Sequence, residues 1–144
     1  MATLGATQTE RVDYRRLLWV GPLTALVAAV ANVVMRLIEG ALGWIPDEIE
    51  VFSPAVVAVS TFIYVLLGVI VFAVIGRFAR RPISTFRIVA VVALGLSFLN
   101  PILAATGALG IGPIGLETVI ALVILHIVAG VTAIYLLTTQ ARAQ

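Results

Sequence analysis

The polar side chains set into long apolar runs are where this sequence could do chemistry, because amide and ionisable groups at such positions are costly and need a partner or a task. Asn32, Arg36 and Glu39 are spaced by four and three residues, so they share one helix face. Arg36 and Glu39 are placed for an i,i+3 ion pair. Near a helix end such a pair is ordinary packing, with the long arginine reaching back to water. As one wall of a cavity the same stripe would receive a polar solute. His126, the single histidine, lies nine residues into the last apolar run, which is about 13 Å at about 1.5 Å per residue. That depth is close to the middle of a bilayer core about 30 Å thick. Imidazole there can bond a neighbouring helix, relay protons or ligate a metal or haem. Transition-metal sites need several such ligands, and the chain has one histidine and no cysteine. Ser60 and Tyr64 in the second run and Asn100 in the third fall in the same outer half. Together with Asn32, Arg36, Glu39 and His126 they could line a polar cavity open to the outside, or simply bond to one another across helices.

No nucleophile stands beside a base, no paired carboxylates lie within the apolar runs, and no glycine-rich phosphate loop or metal-ligand cluster is present. The expectation is a protein that is not an enzyme and has no cofactor and no metal. The absence of cysteine also removes disulfide and thiolate chemistry.

The elements that must position these residues follow from composition. Hydrophobic residues make up 62% of the 144 and charged ones 11%, with a mean hydropathy of +1.18. A soluble domain has about half apolar and a quarter charged residues, so the apolar excess needs a lipid bilayer as its partner. Four runs are long enough to cross one, at about 17–38, 54–76, 85–105 and 117–137. Residues 1–16 and 139–144 flank a single domain over 17–138. The fold class is all-α, an integral membrane four-helix bundle of two hairpins. A basic stretch, an apolar run and Ala29-Val30-Ala31 imitate a secretory signal, but the run continues past that would-be cleavage site. Ser53-Pro54 is a helix start, with serine as cap and proline at the first helical position. Ser84 reads as the cap of the third span, and Asn100-Pro101 as a bend or stop late in it.

Eight of the nine basic residues, all arginines, flank one side of these spans: Arg11, Arg15, Arg16, Arg77, Arg80, Arg81, Arg87 and Arg142. Asp47, Glu48 and Glu50 lie in the opposite loop. The positive-inside rule then places both termini in the cytoplasm, in a bacterial cytoplasmic (inner) membrane. A net charge of +2 concentrated beside apolar runs reads as a topology signal and gives no reason to expect nucleic acid. GALGWIP at 40–46 recurs as GALGIGP at 107–113, each after an odd-numbered span. The hairpins would form a parallel repeat or share a loop motif by chance. Gly21, Ala25 and Ala29 in the first span and Gly130 in the fourth allow close helix approach.

Arg80-Arg81-Pro82 followed by Phe86-Arg87-Ile88-Val89-Ala90, Pro101 late in the third span, and Leu125-His126-Ile127-Val128-Ala129-Gly130 give the chain a resemblance to an uncharacterised bacterial family of small four-span membrane proteins, a domain of unknown function. The resemblance covers most of residues 15–137. It implies the four-span fold and singles out His126, and it brings no activity, substrate or cofactor. The function expected is therefore that of a packing protein, an accessory or scaffolding subunit of a larger membrane protein complex or a homo-oligomer. The alternative is oligomeric, proton-linked permeation of an ion or small solute through a polar cavity near His126.

Overall fold

The computed structural model describes residues 10–143. Of the polar stretch expected over 1–16, residues 1–9 lie outside the described residues, as does Gln144. Five helices follow in order: α1 (Tyr14–Ala41), α2 (Pro54–Phe78), α3 (Pro82–Ser97), α4 (Leu99–Ala105) and α5 (Leu116–Gln140). A single 3-10 turn, Glu50–Phe52, precedes α2. Counting α3 and α4 as one apolar segment, Pro82–Ala105, four helical segments are long and apolar enough to cross a membrane.

Local chemistry sets the helix ends. The Asp13 side chain accepts from the Arg16 amide at 3.1 Å and starts α1. Ser53 Oγ accepts from the Val56 amide at 3.4 Å, with Pro54 in the first turn of α2. The start of α3 differs from expectation. The helix begins at Pro82, three residues before Thr85, because proline fits the first helical position, and Ser84 is already inside the first turn. The cap comes from far away in sequence. Glu10 accepts from the Ser84 amide at 3.0 Å and from its hydroxyl at 2.6 Å, setting a carboxylate at the positive end of the helix. The hydroxyl and amide of Ser84 are the main reason the Glu10 carboxyl is held below the usual carboxylate range. The third apolar segment breaks at Phe98. Pro101 has no N–H to give the Ser97 carbonyl, so the ladder fails one turn upstream of it.

α1 packs along α2 and α5, and α3 closes the ring by touching those same two helices. In its most apolar stretch α1 is 44% buried, against 17% for α2 and 11% for the third and fourth segments. α1 is thus the most buried helix, yet it too turns Leu18, Val30 and Leu37 outward, as the others do Ile88, Leu116 and Val59, in the manner of lipid-facing helices.

The core has three layers. At the end bearing the termini, Val12, Leu17, Val20, Phe72, Phe86, Leu137 and Ala141 form one buried cluster. The Phe72 and Phe86 rings sit 4.7 Å apart in a tilted pair. Residues 11–13 are not free here: the Asp13 amide donates to the Ala141 carbonyl and the Ala143 amide to the Arg11 carbonyl, both at 2.9 Å. This antiparallel bridge ties the chain's two ends together on one side of the bundle. The middle layer is small, with Ala25, Ala28 and Val65. Ile45, Phe52, Val57, Ala121 and Leu125 fill the opposite end. A Cβ at Gly21 would lie 2.6 Å from Val69 Cγ1, and one at Gly130 would lie 2.9 Å from Leu94. Both glycines are therefore spent on contacts within the chain. Both recurring GALG strings close an i to i+3 turn, although Gly107 is left-handed and Gly40 is still helical. The Gly43 amide donates to the Gly40 carbonyl at 2.9 Å and the Gly110 amide to the Gly107 carbonyl at 3.0 Å. The closing glycines have φ of 71° and 76°, a conformation that suits only residues without a Cβ.

Candidate functional site

The polar residues fall into three places. The first is the inward face of α1, where Thr24, Asn32, Arg36 and Glu39 are all buried. Asn32 Nδ2 donates to Thr61 Oγ1 of α2 at 2.9 Å. Arg36, 2% exposed, donates from Nε to the Phe52 carbonyl at 2.6 Å and from Nη2 to Asp47 Oδ1 at 2.9 Å. The expected Arg36–Glu39 pair is absent among the described residues, because the acidic loop folds back over α1 and its Asp47 takes the guanidinium first. Gly40 makes room for this, since a Cβ there would overlap the guanidinium. Residues 42–53 thus form a strap across the end of α1. It is fixed again at Trp44, whose amide donates to the Glu39 carbonyl at 2.9 Å and whose carbonyl accepts from Thr118 Oγ1 of α5 at 2.6 Å. Both Glu39 carboxyl oxygens beneath the strap, and Asn32 Oδ1 and Thr24 Oγ1 further back along α1, are buried and make no hydrogen bond within the protein.

A cavity of about 170 Å³ lies beside this cluster and is lined by the 3-10 turn, α4, the 106–115 loop and α5. His126 and Asn100 both face it. His126 does not bridge two helices. Its Nδ1 meets the Leu122 carbonyl of its own helix at 2.6 Å.

The third place is an outward groove of about 450 Å³ along α2, where Ser60 and Tyr64 lie among Ala55, Val56, Val59 and Ile63. The Ser60 hydroxyl bonds carbonyls of its own helix, Val56 at 2.7 Å and Val57 at 3.2 Å. Tyr64 is 73% exposed. The structure therefore brings Asn32, Arg36 and Glu39 together, pairs Asn100 with His126, and sets Ser60 and Tyr64 apart from both. Sequence reasoning missed Thr24 and Thr118. Thr24 was findable, since it continues the four-residue spacing of Asn32 and Arg36 toward the N-terminus, whereas nothing in the sequence links Thr118 to Trp44.

Four apolar helical segments with a buried polar stripe on the first define a small multi-pass membrane protein. Residues 12–143 match the profile described as "Family of unknown function (DUF6069)", and the chain belongs to that family. No curated protein and no solved structure matches it.

Proposed function

We propose that this chain is a non-enzymatic accessory or scaffolding protein of a bacterial cytoplasmic membrane, with both ends in the cytoplasm, that docks a transmembrane helix along α2. The helix belongs to a larger membrane complex or to a second copy of the chain. The orientation rests on the eight flanking arginines. The docking reading rests on Tyr64. Tyrosine normally sits at the membrane–water boundary, yet this one lies ten residues into α2, about 15 Å from its start, near the bilayer middle. Its ring is 73% exposed. An unbonded hydroxyl in hydrocarbon costs about 1–3 kcal/mol, which a partner helix offering an acceptor would recover. Gly68, one turn further along, has nothing within 4 Å of a Cβ position, and such a small residue beside an open groove lets another backbone approach. Permeation is less well supported, because Asn32, Arg36 and Glu39 are each under 5% exposed and do not join the His126 cavity in one lumen.

A photo-crosslinking benzophenone residue at Ile63, within the groove, tests this in intact membranes, with Val34 on the exposed face of α1 as control. The expected result is a discrete protein adduct from position 63 alone, weakened by Tyr64→Phe. Its mass distinguishes a second copy from another subunit. Equal adducts from both positions, or none from position 63, would overturn the docking reading.

A further inference from the structure

The cavity beside His126 has a construction that the docking of α2 does not use. The helix breaks at Phe98, and α4 beyond the break walls the cavity with Asn100, Pro101 and Ala104, across from Phe52 and Leu122. At about 170 Å³ it has room for a single ring, and it is open on the side where Val51, Asn100 and Leu109 are exposed. It carries two polar groups. The Leu122 carbonyl can only accept, so His126 Nδ1 bears the proton of this 2.6 Å bond. In the neutral ring Nε2 is then an acceptor, and it makes no hydrogen bond in the protein. The Asn100 amide is exposed at the cavity's open side.

We infer that this cavity binds a small amphiphile of one ring or a short chain carrying a single hydroxyl, with the apolar body against Phe52, Pro101 and Leu122 and the hydroxyl donating to His126 Nε2. The apolar lining selects the body, and the imidazole selects a donor over a bare hydrocarbon of the same size.

The test is ¹⁹F NMR of 4-fluorophenol with the full chain in detergent micelles, referenced to empty micelles and compared with fluorobenzene. Saturable broadening, displaced by unlabelled phenol, is expected, with 4-fluorophenol preferred by about two- to tenfold, the range of one neutral hydrogen bond. His126→Leu should remove that preference and leave the apolar binding. Leu109→Trp fills the cavity from an exposed loop position, where folding is not burdened, and should abolish binding of both probes. No saturable signal above empty micelles, binding unchanged in Leu109→Trp, or a phenol preference retained in His126→Leu would each overturn the inference.

Discussion

Replacing Arg36 by methionine should destabilise the protein far more than replacing its ion-pair partner. The two contacts of the guanidinium lie in different surroundings. Asp47 is 84% exposed, so its share resembles that of a surface ion pair, under about 1 kcal/mol. The Phe52 carbonyl is reached at 2.6 Å from a buried Nε, and a charge-assisted bond of that kind contributes about 1.5–3 kcal/mol. Methionine relieves the desolvation of the guanidinium, but it leaves the Phe52 carbonyl unpaired and Glu39 buried without a neighbouring cation. The expected loss is about 2–4 kcal/mol for Arg36→Met and under about 1 kcal/mol for Asp47→Asn. Unfolding by dodecyl sulfate in mixed micelles, followed by circular dichroism, gives both values. Release of the strap has its own readout, because a glutamate-specific protease cuts after Glu48 and Glu50 and should do so faster in Arg36→Met. A loss in Asp47→Asn equal to that in Arg36→Met, or a loss under about 1 kcal/mol in the latter, would refute the view that the buried carbonyl contact holds the strap.

Three further outcomes are expected. Gly21→Val should cost about 1–3 kcal/mol, the usual range for overpacking, since the new Cβ falls 2.6 Å from Val69 Cγ1; the same unfolding assay measures it. A double-mutant cycle of Asn32→Ala and Thr61→Ala should give a coupling near 0.6 and no larger than about 1.7 kcal/mol, as for other interhelical bonds in membranes. The Glu10 carboxyl is held low by Ser84 when folded, so the folded state binds this proton less readily than the unfolded chain. Its contribution is complete above the ordinary glutamate value of about 4.3 and is lost as pH falls through the lower folded value. Stability measured from pH 6 to pH 3 should therefore fall less steeply in Glu10→Gln than in the native chain, and identical slopes would show that the cap carries no linkage.

The sequence made the spans legible because a bilayer imposes one requirement, length in apolar residues, that each run states by itself. Contacts that depend on chain return were not legible. Helical spacing puts Arg36 and Glu39 on one face, but the choice of Asp47 as partner is made by a strap with no periodicity to read. Ser84 looked like a cap because it precedes an apolar run, yet Pro82 starts the helix earlier and Glu10 arrives from 74 residues away. The depth of His126 followed from counting, while the cavity beside it is assembled from the 3-10 turn, α4 and the 106–115 loop, whose meeting no local spacing announces. Gly21 and Gly130 marked close packing correctly in kind, but spacing does not say that both contacts lie inside the chain.

The two ends of the bundle are held by different physics, and this explains why the buried face of α1 can be polar. At the terminal end an apolar cluster around Phe72 is closed by main-chain pairing of residues 11–13 with 141–143, and there the buried face of α1 needs no charged residue. At the other end the same face bears Asn32, Arg36 and Glu39, groups that would be expensive against lipid. The strap of residues 42–53 removes that expense for Arg36 by bringing an exposed acid and a main-chain carbonyl to it, anchored at Trp44 by Thr118. Glu39 remains unpaired beneath it, as does Asn32 Oδ1 further back along α1. A cover that satisfies Arg36 while leaving the Glu39 carboxyl without a hydrogen bond is under-determined by stability alone. The strap end of α1, next to the His126 cavity, thus keeps polar atoms that nothing in the fold satisfies.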